Sequence, residues 1–185
     1  MPVSLYEVSI PVFIRTLKNL RTFLKIGEAY ADKNGIPHEK LLRARLHPTM
    51  KDLIFQVWRV SAHTVGFAIR VGGIEPPHFD DNENTFAELY VEIQKSIDFL
   101  EKVDRVAIDG KEGTDVVVKT GSGPIRWTSQ DYLLKFAIPS IDFHFTTAYD
   151  LLRHNNVPLE KWDFLGHDLK DTLLDPKDYI NDYRR

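Results

Sequence analysis

Over most of the chain the apolar positions recur at steps of three and four, the signature of amphipathic helices rather than strands. Ile10, Phe13, Leu17, Leu20, Leu24 and Ala31 form one such face and predict a first long helix. Ser4, with Glu7 three residues on, has the form of a capping box and marks its start. Asn34-Gly35-Ile36-Pro37 marks its end, with glycine and proline just past the last turn. A short helix is predicted over 38–46. A second long helix over 49–71 buries Leu53, Val60, Thr64, Phe67 and Val71, and Gly72-Gly73 closes it. The third starts at Thr85, paired with Glu88 in a further capping box, and turns Phe86, Leu89, Ile93, Ile97 and Leu100 inward.

After Val103 the period changes. Val116-Val117-Val118 and Ile125-Arg126-Trp127 flank Gly121-Ser122-Gly123 and predict a two-stranded hairpin. Two strands cannot build a core of their own, so the hairpin is a lid or connector. The last helix opens at Thr128, three residues before Asp131, and stops at Asn155-Asn156 ahead of Pro158. Its one interruption is Pro139, which removes the bond to the Lys135 carbonyl and predicts a kink. At about 100° per residue, Leu133, Ala137, Ser140, His144, Ala148 and Leu151 fall within about 40° of the His144 direction. An imidazole and a hydroxyl thus sit in the middle of a stripe that must face the core.

Four long helices with one crossover before the last predict an all-α four-helix bundle, with a short β-hairpin between helices 3 and 4. The bundle domain is placed at 1–166, its end folded back by Trp162 and Phe164. Residues 167–185 read as a polar tail with a weak LKDTLL turn.

Composition narrows the function. A net charge of -3 and a pI near 6.2 argue against general nucleic-acid binding. Charge is uneven: residues 1–51 hold nine Lys/Arg against four Asp/Glu, and 75–115 hold four against twelve. That asymmetry predicts neighbouring helices with complementary faces. The absence of cysteine excludes disulfides, thiolate nucleophiles and Cys-ligated metal. The N-terminus lacks the pattern of a signal peptide, and no uncharged apolar run is long enough for a membrane span, so a cytoplasmic protein with no membrane partner is expected.

Gln56 lies on the buried face of the second helix. His63, seven residues on, is about 20° away in azimuth but about 10 Å along the axis, and is expected to be packed or half-exposed. Asp80, Asp81 and Glu83 with His78 match no calcium-loop spacing and read as a solvated loop. His154, at the end of the last helix, suits the helix dipole.

Three segments are familiar: SLYEVSIPVFIRTLKNL, GGIEPPHFDDNENTFAEL and DYLLKFAIPSIDFHFTTAYDLLRHNNVPLEKWDFLG. They resemble a bacterial and fungal family of unknown function in the DinB/YfiT-like superfamily of metal-dependent four-helix proteins, over about residues 4–166. The superfamily's metal site resembles a three-histidine arrangement, one from helix 2 and a His-x-x-x-His pair on the last helix, which implies a divalent ion such as zinc or nickel. In this chain only His144 matches. Ser140 stands one turn earlier, Gln56 occupies the helix 2 position, and His63 is two turns away. Neutral Ser and Gln oxygens are poor substitutes for imidazole, so no metal or other cofactor is expected. Gln56, Ser140, His144 and Thr147 are then candidate ligand-binding residues for a small molecule. His144 is the candidate catalytic residue, as general acid/base or hydrogen-bonding group. The alternative is a non-catalytic homodimeric bundle in which these groups form a satisfied core network.

Overall fold

The computed structural model describes residues 3–79, 82–121 and 123–172. In chain order it runs α1 (Ile10–Asn34), α2 (His38–Leu42), α3 (Leu53–Gly72), α4 (Phe86–Leu100), β1 (Asp115–Thr120), β2 (Gly123–Thr128), α5 (Ser129–Tyr132), α6 (Ile138–His154) and α7 (Lys161–Leu165). A π turn over Leu133–Ala137 joins α5 to α6 into one last helix. α1 and α3 each pack against α4 and α6, giving the all-α four-helix bundle, and the residues predicted to face inward on the first three long helices are all buried. Among the described residues no helix is long and apolar enough to cross a membrane.

Helix ends follow their local chemistry. Thr85 and Glu88 exchange both capping bonds, and Thr128 Oγ1 accepts from Asp131 N at 3.1 Å. Gly35 (φ 62°), Gly73 (φ 68°) and Asn156 (φ 65°) take the left-handed conformation that closes a helix. Two starts differ from expectation. Ser4 and Glu7 do bond reciprocally, at 3.4 and 3.2 Å, but they close a turn that leads into the helix, and α1 begins only at Ile10. Pro11, pre-set for a first turn and unable to donate, fixes the start there, while Tyr6 N is drawn off to the Asp109 carboxylate at 2.9 Å. α3 starts at Leu53 rather than near Thr49 because Asp52 accepts from Phe55 N at 3.1 Å and pairs with Arg43 at 3.2 Å. α2 is shorter than predicted, ending at Leu42.

The hairpin is antiparallel, with Val116 opposite Trp127 and Val118 opposite Ile125. Val116 and Val118 are buried where β1 meets α3, and Ser129 N donates to the Thr114 carbonyl at 2.8 Å, tying hairpin to last helix. The predicted Gly121-Ser122-Gly123 turn passes through Ser122, and the acidic loop through Asp80 and Asp81, which lie outside the described residues. Lys18 pairs with Glu101 at 3.2 Å and Tyr90 donates to Glu28 at 2.7 Å, so the basic and acidic stretches meet across α1 and α4.

Phe164 on α7 folds back against Phe23, Phe145 and Tyr149. The chain then makes a 3-10 turn over His167–Thr172, with Arg15 on Asp168 at 2.9 Å, and the rest of the LKDTLL segment and the tail lie outside the described residues.

The break predicted at Pro139 takes the form of the π turn just before it. Ile138 N reaches back five residues, to the Leu133 carbonyl, so the helix holds one extra residue and everything after it is turned back by about 100°. Leu133 therefore continues in phase with Ile141, Phe145, Ala148 and Leu152, all buried, rather than with Ser140 and His144. Ser140 and His144 are half-buried at the edge of that stripe instead of at its centre.

Candidate functional site

α3 and α6 lie side by side, and their seam carries the polar groups. Gln56, one turn into α3, donates through Nε2 to the Lys51 carbonyl at 3.0 Å. A carbonyl can only accept, so the amide orientation is fixed and Oε1 faces His144 Nδ1 at 2.8 Å. His144 therefore carries its proton on Nδ1 and presents Nε2 as a lone pair, to which no described residue donates. Phe55 and Phe143 meet the ring edge-on, at 6.0 and 5.1 Å between centroids.

His63 is packed, one of the two states expected of it, and it packs against this site. It is 6% exposed and stacks on His144 with centroids 5.6 Å apart and planes 17° from parallel. Set seven residues beyond Gln56, it lets one imidazole on α6 span two turns of α3. Arg59 Nη2 lies 2.8 Å from His63 Nε2, and a guanidinium can only donate, so His63 accepts there and is protonated on Nδ1. Burial holds both imidazoles neutral, reinforced by the Arg59 charge: His63 is lowered to about 3 and His144 to about 4.

The same face of α3 continues from Arg59 and His63 through Gly66 to Arg70. A side chain at Gly66 would place its Cβ 2.2 Å from Arg70 Nη1, so this glycine leaves the space that the Arg70 guanidinium fills on its way to Tyr132 Oη, at 3.0 Å. Arg59, His63 and Arg70 with Ala62, Phe136, Val118 and Lys119 line a cavity of about 150 Å³ under the hairpin. Burial, and then repulsion from Arg70, pull Arg59 below the usual guanidinium range.

Of the four predicted site residues, the structure brings Gln56 and His144 together. Thr147 is buried, with its hydroxyl committed to the Phe143 carbonyl at 2.6 Å, and Ser140 makes no hydrogen bond to a described residue. Arg59, Arg70 and Lys119 went unpredicted. The two arginines share one face of α3 through the spacing Arg-x3-His-x2-Gly-x3-Arg, whereas nothing in the sequence brings Lys119 of β1 to them.

A family model described as Domain of unknown function (DUF1993) matches residues 5–165. The chain belongs to the DUF1993 family. The solved structure of a DinB family member protein from Shewanella denitrificans is similar to it, at 31% identity over 88% of this chain and 92% of that one, with a TM-score of 0.81. That likeness places this DUF1993 chain within the DinB-like superfamily. No curated protein matches it.

The superfamily's three-histidine metal arrangement does not fit the donors present in this DUF1993 chain. His63 and His144 lie ring on ring instead of aiming nitrogens at one point, and His63 Nε2 already accepts from a cation. The neighbouring charges are Arg59, Arg70 and Lys119, which repel a divalent ion.

Proposed function

We propose that this DUF1993 protein binds a small molecule against His144, at the seam of α3 and α6. The relay from the Lys51 carbonyl through Gln56 to His144 supports this reading. Two hydrogen bonds fix one ring and leave its Nε2 with no donor among the described residues. A half-buried acceptor held in one tautomer is suited to a ligand N–H or O–H. An imidazole lowered to about 4 is a weak base at neutral pH, which favours ligand binding over the acid–base catalysis expected from its residue type alone. A thermal-shift screen of small molecules on the wild type and His144→Ala tests it. A true ligand stabilises only the wild type; equal stabilisation of both removes His144 from the site.

A second reading, a homodimer, rests on Phe143, which is 58% exposed beside His144. Sedimentation of the wild type and Phe143→Ser decides it: a dimer that the substitution splits supports this reading, and a monomeric wild type removes it.

A further inference from the structure

Four nitrogen-bearing side chains share the cavity beneath the hairpin: Arg59, His63 and Arg70 from α3 and Lys119 from β1. No carboxylate lines it, and two acids of the neighbouring segments are engaged elsewhere. Asp131 holds Lys135 at 2.8 Å, and Asp115 holds Arg126 at 2.9 Å. The titratable groups beside these cations, Tyr132 on α5 and His144 on α6, bring no negative charge at neutral pH, since burial raises Tyr132 and keeps His144 neutral. Among the described residues no acid pairs with Arg59 or Arg70, in a chain whose net charge is -3.

Both guanidiniums are positioned without being neutralised. Arg59 is held by the neutral His63 ring and Arg70 by the Tyr132 hydroxyl, partners that fix direction and leave the charge intact. Gly66 supports the second of these, at the usual cost of glycine in a helix interior. Like charges gathered this way disfavour the empty state, and the apolar walls of Val118 and Phe136 strengthen any compensating anion.

We infer that this cavity binds the oxyanion, phosphate or carboxylate, of a small-molecule ligand, with the Arg59 and Arg70 forks and Lys119 as its donors. The inference rests on the ligand-binding reading of His144 and adds the ligand's chemical class. His63 joins the two halves, taking Arg59 on Nε2 and His144 on its ring face, so an anion at the arginines places the rest of the molecule along the seam toward His144 Nε2.

Isothermal titration calorimetry of the full chain at low salt, with inorganic phosphate and separately with acetate, tests it. One of the two anions binds the wild type, and its affinity falls about tenfold or more in Arg59→Gln and in Arg70→Gln. The tighter anion assigns the group as phosphoryl or carboxylate. Arg59→Gln melts no lower than the wild type without anion, which separates a lost site from a lost fold. Failure of both anions to bind the wild type, or unchanged affinity in both arginine variants, overturns the inference. Small molecules that stabilise wild type and His144→Ala alike, with the arginine result intact, sink the His144 reading alone.

Discussion

His63 and His144 stack ring on ring, 5.6 Å between centroids and 17° from parallel, although they come from different helices. The arrangement is built for neutral rings. Two imidazoliums so placed, beside Arg59, would repel one another in a poorly solvated seam. Both therefore take up protons in the folded protein only at about 3 and about 4, well below the unfolded value near 6.5. The unfolded chain then binds more protons than the folded one throughout that window, so stability is full above about pH 6.5 and is lost as pH falls toward 4. Melting curves between pH 7 and pH 5 should show a loss of about 1–2 kcal/mol attributable to His63, the more buried ring. His63→Gln should flatten the profile; a variant that keeps the wild-type slope would show that the pair does not set it.

Gln56 fixes the tautomer of His144, and that is separable from its packing. Gln56→Glu is nearly isosteric and puts a carboxylate where Oε1 now sits, 2.8 Å from Nδ1. An adjacent negative charge favours imidazolium, so His144 should titrate well above about 4 in this variant, followed by ring-proton NMR. If its titration does not move, the hydrogen bond does not govern the ring.

The cap of α3 supports the same relay. Asp52 accepts from Phe55 N and pairs with Arg43, and the residue before it, Lys51, supplies the carbonyl that turns Gln56. Asp52→Ala should cost about 1–2 kcal/mol. That lowers the melting temperature by about 3–6 °C in a chain of this size. A second consequence is a less uniform His144 tautomer, visible in ring nitrogen shifts; stability loss with an unchanged tautomer would confine Asp52 to capping.

The sequence was most legible where one residue acts on its immediate neighbours. Thr85–Glu88, Thr128–Asp131, Gly35 and Asn156 each close a helix end by contacts within about a turn, and their types announce it. The inward faces of α1, α3 and α4 were readable because each helix is regular from end to end. The candidate site was harder, for two physical reasons. Pro139 marks a break in the last helix but not that the break is a π turn that shifts its phase, so winding at a constant angle from Leu133 carried His144 to the middle of the core rather than its edge. His63 is separated from Gln56 by two turns, and only the partner helix reveals that one ring on α6 bridges both. Arg59 and Arg70 are ordinary in sequence; their meaning lies in the hairpin that closes over them and in the lack of an acid there.

The π turn has its own test, through Leu134 and Pro139. Leu134 is 51% exposed within the wide turn, the side chain whose loss the core would feel least. Deleting it would return the helix to regular winding and leave Leu133 and Leu152 on the same face, since the extra residue is what the wide turn absorbs. Regular winding, however, brings the Pro139 ring against the carbonyl of Lys135, the clash that costs about 3 kcal/mol in a helix interior. Deletion of Leu134 alone should therefore lower stability by about that amount, while the same deletion with Pro139→Ala should recover most of it. Denaturant titration of the four proteins in this cycle measures the coupling directly. An equal loss with proline and with alanine at 139 would mean that the wide turn answers to packing against α3 and not to the proline.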